Sequence, residues 1–416
     1  EISVCLVGSE MCIRDSCGVV SLDYDNYNGV ATSIGHSPIT GLINPSIGSI
    51  NSIGESLTNI IWAPLADGIK SISLSANWMW PCGNEGEDSR LYDAVSACSR
   101  FAIELGINIP TGKDSLSMVQ KYDSIKVKSP GTVIISASGH CEDVRKVVKP
   151  VLNKNIGDIY YIDMSFDELK LGGSSFAQIQ NKIGTNAPRI NDSKNFKDAF
   201  DLVQDLIRAN KIKSGHDISS GGMITTLLEL CFSSDKIGMD IDLTEIGCSD
   251  TVKLFFSENA GLVIQSDSDL NTDFSRLGLS CFKIGRINKD GLLNIKNFES
   301  DFSFNIDKYR DVWFSTSRDF DKIQTKNNKG VERFENYKEQ PLNFIFPKDL
   351  KLNVNPDIKE NEINAAVIRE KGSNSEREMA YMMSLSGFNV KDIHMTDIIS
   401  GREDLKDVQL LVAVGG

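Results

Sequence analysis

Positive charge is in short supply: 44 lysines and arginines stand against 57 acids, a net charge of −13. No basic surplus is available to neutralise a nucleic-acid backbone, which argues against that class of partner. A small phosphorylated ligand stays within reach, because an acidic protein can hold one with metal ions and a few placed cations. Long apolar runs are absent too, with no stretch of about 18 or more, so a membrane-spanning helix is not expected. No charged-then-apolar leader opens the chain, which argues against a secretory signal. The nine cysteines are scattered, without a CxxC pair or histidines at zinc-ligand spacing. A structural zinc site and a disulfide framework are therefore not indicated, and free buried thiols in a reducing cytoplasm are expected.

What remains is ordinary globular material, 40% hydrophobic and 24% charged over 416 residues, enough for two or three cored domains. The chain is organised around residues 44–115. Asn44-Pro45 reads as an N-cap and a proline at the first helical position, and Ile50, Ile53, Leu57, Ile60 and Ile61 then recur at helical spacing. That stripe is predicted to face a core, with Ser52, Glu55 and Asn59 on the opposite side. A carboxylate and an amide oxygen four residues apart project from one surface, two hard oxygen ligands pointing the same way. Alternation over residues 72–78 predicts a strand, and the acidic, turn-rich Pro81-Cys82-Gly83-Asn84-Glu85-Gly86-Glu87-Asp88 a loop. A second helix follows, with Leu91, Ala94, Val95, Cys98, Phe101, Ala102 and Leu105 inward. It leads to Thr111-Gly112-Lys113-Asp114-Ser115, a loop type that can approach a phosphate with backbone N–H groups and one cation. This is not a Walker A loop: five residues separate Gly106 from Gly112, and Asp114 follows Lys113.

GESLTNIIWAPL, SLSANWMWPCGNEGEDSRLYDAV and INIPTGKDSLSM, in this order and at this spacing, resemble the large, single-chain phosphoribosylformylglycinamidine synthase family. The resemblance covers nearly everything from Cys17 to Gly416, more loosely between about Asn271 and Asn361. It implies an ATP- and glutamine-dependent ligase of purine biosynthesis. The expected fold is α/β and α+β. An aminoimidazole-ribonucleotide-synthetase-like N-half able to form a barrel spans residues 17–125, and a C-half α/β sandwich spans 126–266. A connector over 267–360 leads to the truncated start of a class I, flavodoxin-like glutamine amidotransferase domain over 361–416. Residues 1–16 do not match the pattern and read as a non-native leader. The family's metal-binding aspartate before Cys17 falls on Ser16, and the adjacent Asp15 is not assigned its role.

Elsewhere the residues admit more than one reading. Gly172 and Gly173, opening a short helix, either present N–H groups to an anion or only turn the chain. Asp217, in the segment Ser214-Gly215-His216-Asp217-Ile218-Ser219-Ser220-Gly221-Gly222, reads by itself as a helix cap. The resemblance makes it a Mg²⁺ ligand beside Glu55 and Asn59, and makes Ser219 a nucleotide contact. His216 reads as a structural neighbour of that loop, while His36 and His140 have no acid-base partner in sequence. Lys113, with Asp114 and Ser115, is the candidate for substrate phosphate, and Gly415 and Gly416 open the oxyanion region of the amidotransferase. The implied ligands are Mg²⁺, ATP, formylglycinamide ribonucleotide and glutamine-derived ammonia. The implied companions are the family's first synthetase repeat and the rest of its glutaminase domain. No catalytic residue is expected within these 416 residues. Two roles are open for the Glu55, Asn59 and Asp217 site, a working ATP site or a nucleotide held as a structural element. A selenophosphate synthetase or thiamine-phosphate kinase relative is the weaker alternative.

Overall fold

The computed structural model describes residues 16–23, 26–155, 157–233, 236–339 and 363–415. The expected leader up to Asp15, residues 340–362 (the last part of the connector and the first two residues of the amidotransferase segment) and Gly416 lie outside the described residues. The chain divides into two units, Glu1–Asn343 and Phe344–Gly416.

The first unit opens with β1 (Gly18–Ser21), β2 (Gly29–His36), α1 (Pro38–Ile43), α2 (Pro45–Ile60), β3 (Ile72–Met79) and α3 (Glu87–Leu105). It continues with β4 (Asn108–Ser115), a small hairpin of β5 (Val119–Tyr122) and β6 (Ile125–Lys128), and β7 (Thr132–Cys141). Five of these strands form an open sheet in the order β1-β2-β7-β3-β4; no closed barrel exists among the described residues. Only the β3–β4 pair is parallel. The resemblance places β7 in the second half, but its pairing with β2 and β3 puts it at the centre of this first sheet.

The fate of α2 follows from its sequence. Asn44 Oδ1 accepts from the N–H groups of Ser46 and Ile47, and Pro45 fills the first turn. Ile53, Leu57, Ile60 and Ile61 are fully buried, as the stripe requires. Ser52, expected on the open face, is only 1% exposed. Its hydroxyl donates to Gly48 O at 2.9 Å, which lets a polar side chain face the core without an orphaned group. In α3, Val95 is 43% exposed while Ala97 is buried. The inward face is rotated toward Ala94, Ala97, Phe101 and Leu105, where α3 meets α2.

The second half contains β8 (Asp158–Asp163), α4 (Ser175–Ile179), α5 (Ser193–Arg208), β9 (Ile212–Ile218), α6 (Gly222–Phe232) and β10 (Gly238–Asp242). It closes with α7 (Thr251–Phe256), β11 (Gly261–Ser266), α8 (Leu270–Ser275), β12 (Cys281–Asn288), β13 (Leu292–Asn297) and β14 (Ser300–Asn305), then α9 (Ile306–Gln324) and α10 (Lys329–Asn336). Seven strands pair in the order β14-β13-β10-β12-β8-β11-β9. The connector expected from Asp267 onward therefore begins too early, since β12, β13 and β14 complete this sheet. The segment 214–218, rich in serine and glycine, is strand β9 rather than a bend, because β11 supplies an antiparallel ladder along it.

One core spans both halves, from Ile53 and Leu57 of α2 through Phe101 of α3 to Phe196 and Phe200 of α5. Gln204 of α5 is fully buried within it. Its Oε1 accepts from Leu65 N at 2.8 Å and its Nε2 donates to Ile61 O at 2.5 Å. Gln204→Leu is expected to leave both backbone groups unpaired and to cost on the order of 3 kcal/mol, read as a lower denaturation midpoint. A second core lies between α6 and the seven-stranded sheet, and Trp313 of α9 packs against it, the anchor its sequence suggests.

The second unit has β15 (Asn364–Arg369), α11 (Glu376–Leu385), β16 (Asn389–His394), α12 (Met395–Ile399) and β17 (Leu410–Ala413). The strands are parallel in the order β16-β15-β17. That is the 2-1-3 start of a flavodoxin-like doubly wound sheet. No helix among the described residues is long and apolar enough to cross a membrane.

Candidate nucleotide site

Glu55 and Asn59 reach the end of the first sheet from α2, and Asp217 arrives from the end of β9. All three line one cavity of about 510 Å³ between the two halves, together with Ser219, His216 and Glu229. Glu55 is held by two donors: the backbone N–H of His36 donates to its Oε2 at 3.1 Å, and Ser219 Oγ donates to its Oε1 at 3.1 Å. The second bond joins the halves across 164 positions of sequence. Burial pushes the Glu55 carboxyl above its ordinary value, and the two donors and His36 only partly offset this. Asn59 Nδ2 donates to Ile34 O at 2.9 Å, which fixes the amide.

Asp217 is 1% exposed. Burial alone would raise its pKa, but His216 and the donated hydroxyl of Ser16 outweigh that and hold the carboxylate below its ordinary value. It does not cap α6. The N-cap there is Gly221, whose own N–H donates to Glu258 Oε1 at 2.8 Å. His216 lies between two acids, Nδ1 at 3.3 Å from Asp217 and Nε2 at 3.2 Å from Glu229. Burial disfavours the imidazolium, yet the flanking carboxylates raise its pKa to about 10.

On the other side of Glu55 and Ser219 lies a second cavity of about 430 Å³, lined among others by Asn51, Gly172, Gly173, Arg189 and Glu258. The glycines there turn the chain and offer no anion cradle. Gly172 N–H donates to Asn186 O at 3.0 Å and Gly173 N–H to Ile183 O at 2.7 Å, while Glu258 Oε1 takes the N–H of Ser175 at 2.8 Å. Gly173 sits at φ +81, the left-handed region.

Lys113, Asp114 and Ser115 line neither cavity. They belong to β4, an edge strand, where Lys113 Nζ donates to Ser115 Oγ at 2.5 Å. Lys113→Ala is expected to leave nucleotide binding unchanged within about twofold and stability within about 0.5 kcal/mol, measured by titration and denaturation. In the second unit, Gly415 O accepts from Asn374 N at 2.8 Å.

The donor set suits a hard divalent cation completed by water and phosphate oxygens, for which one or two carboxylates suffice. Among the described residues no three His, Cys, Asp or Glu side chains cluster to hold a metal by themselves. The oxygen donors that line the cavity from Glu55, Asp217 and Asn59 are two carboxylates and an amide. Seven cysteines fall among the described residues, none of them in a disulfide. Burial pushes the Cys98 thiol up to about 12 and raises Cys231 still further, so neither is a nucleophile.

Sequence reasoning did not single out Glu229 or Glu258. For Glu229 a signal existed: it is the one charged residue in the helix GMITTLLELCF.

Three domain families match in order. An FGAR-AT PurM_N-like domain covers residues 5–140, an AIR synthase related protein C-terminal domain 159–296, and a CobB/CobQ-like glutamine amidotransferase domain 362–416. The first match begins inside the stretch read as a leader. Probable phosphoribosylformylglycinamidine synthase of Arabidopsis thaliana, chloroplastic/mitochondrial, is 35% identical over 96% of this chain. The chain is homologous to part of phosphoribosylformylglycinamidine synthase. It spans 29% of the Arabidopsis synthase, and 32% of the Homo sapiens synthase, to which it is 30% identical over 99% of its own length. Among solved structures, T. maritima PurL complexed with FGAR matches 73% of this chain and 50% of its own at a TM-score of 0.55 and 13% identity. PurL complexed with ATP gives 0.54 at 11% identity, covering 72% and 48%. At such identities these structures show a shared fold.

Proposed function

We propose that this portion of the synthase holds Mg²⁺-ATP in the cavity between its halves, within an enzyme that converts formylglycinamide ribonucleotide to the amidine with glutamine-derived ammonia. The observation that carries this reading is the convergence of Glu55, Asn59, Asp217 and Ser219 on one cavity from opposite halves. Homology to the synthase and the solved complexes of PurL with ATP and with FGAR support it.

Each residue has a physical task. Glu55 and Asp217 hold the cation, Asn59 Oδ1 completes the set, and Ser219 Oγ both orients Glu55 and reaches the nucleotide. The nucleotide, when bound, supplies a phosphoryl group that makes the formamide oxygen a leaving group for ammonia. The amidotransferase segment 362–416 contains no cysteine, so glutamine hydrolysis needs residues other than these. That segment also sets the chain apart from the selenophosphate synthetase and thiamine-phosphate kinase alternative.

Calorimetric titration of Mg²⁺-ATP into the 416-residue chain tests the reading. Saturable, Mg²⁺-dependent binding that Glu55→Ala abolishes without lowering the unfolding midpoint supports a working site. If Glu55→Ala instead prevents folding, the bound nucleotide is a structural element, and if the unaltered chain binds none the reading fails. By itself the chain is expected to show neither amination nor glutaminase turnover.

A further inference from the structure

Asp217 is held from behind by a relay that reaches well outside the cavity. Beyond His216, whose ring nitrogens face Asp217 and Glu229 at 3.3 and 3.2 Å, Glu229 Oε1 accepts from Trp313 Nε1 at 3.0 Å. Glu229 thus turns one carboxylate oxygen to each neighbour, and the imidazole sits between the two acids at ion-pair distance, without hydrogen-bond geometry to either. Trp313 lies 84 positions further along, on α9. Its ring packs edge-on against Phe232 at 6.2 Å and against Phe314 at 4.8 Å. A phenyl ring would serve that packing as well. Two acids, an imidazole and an indole N–H are costlier to bury than hydrocarbon unless every partner is met, so such a network specifies geometry more than it adds stability.

We infer that Glu229 and Trp313 are positioning residues, which through His216 fix the Asp217 carboxylate for a divalent cation and tie α9 to the nucleotide site. This rests on the reading of the cavity as a Mg²⁺-nucleotide site. Outer partners of metal ligands govern metal affinity by about 10- to 100-fold, and the single indole N–H bond to Glu229, one step further out, is expected to carry a factor of about three.

The test is the Mg²⁺ concentration needed for half-maximal binding of a fluorescent ATP analogue by the 416-residue chain, with and without EDTA. Glu229→Gln is expected to raise it about tenfold and Trp313→Phe about threefold, with metal-free nucleotide affinity and unfolding midpoints unchanged. A purely structural role predicts the reverse pattern, lower midpoints and equal weakening with and without metal, and that result overturns the inference. So does an unaltered Mg²⁺ requirement in both variants. If the unsubstituted chain shows no Mg²⁺-dependent binding, the reading of the cavity itself falls. Should Glu229→Gln fail to fold, Trp313→Phe decides, since it keeps the ring and removes only the N–H.

Discussion

Asp217→Asn is expected to raise the Mg²⁺ requirement for nucleotide binding by about 100-fold or more, above the effect of any outer partner. The substitution keeps the shape of the side chain and removes its charge, so packing at the end of β9 stays intact. What changes is electrostatic. His216 then has only Glu229 as a carboxylate neighbour, and of the two carboxylates proposed to hold the cation only Glu55 is left, whose carboxyl burial already pushes upward. Binding titrated against Mg²⁺ at fixed nucleotide measures the shift, and an unchanged titration curve would remove Asp217 from the site. Asn59→Ala is the milder companion, because an uncharged oxygen contributes less to a divalent cation than a carboxylate does.

Gly35→Ala is expected to cost about 3 kcal/mol and to weaken nucleotide binding with it. A Cβ at position 35 would stand 2.2 Å from Ser52 O and 2.4 Å from Ser56 N. Both are backbone atoms of α2, so no side-chain rotation relieves the overlap. Either α2 lifts off β2 or the strand bends away, and each movement carries Glu55 from its place beside Ser219. Gly157→Ala is the control: nothing lies within 4 Å of the added carbon, and its φ is outside the left-handed region. Denaturation midpoints of the two variants make the comparison. Equal stability would show that the α2–β2 approach is looser than the distances indicate.

How much of this was legible before folding differs from element to element. The start of α2 was readable because its cap, its proline and its isoleucine stripe are all local signals. Ser52 misled because a serine's outward or inward placement depends on whether it can bond back to its own helix, which polarity does not encode. The apolar run Val133-Ile134-Ile135 marks β7 as a strand, but such a run does not specify its neighbours, so the placement in the second half that the resemblance implies gave way to pairings with β2 and β3. The segment that carries β9 is rich in glycine and serine, residues that locally favour turns. The seven-stranded sheet supplied a partner ladder that overrode local preference. The glycines at 172 and 173 were ambiguous until Asn186 and Ile183 were seen to take their N–H groups.

Sequence by itself determined the resemblance to the synthase, the order of the domains and the identity of Glu55, Asn59, Asp217 and Ser219 as candidates, since these are carried by residues in short, ungapped motifs. Only the tertiary structure decided that they face one cavity, that Lys113 lies apart from it on an edge strand, and that Trp313 stands behind Asp217 through Glu229 and His216. Helical and strand periods are set by neighbours within a turn or two. A buried charge must instead find its partner wherever the chain folds back, and here those partners lie from 1 to 201 positions away.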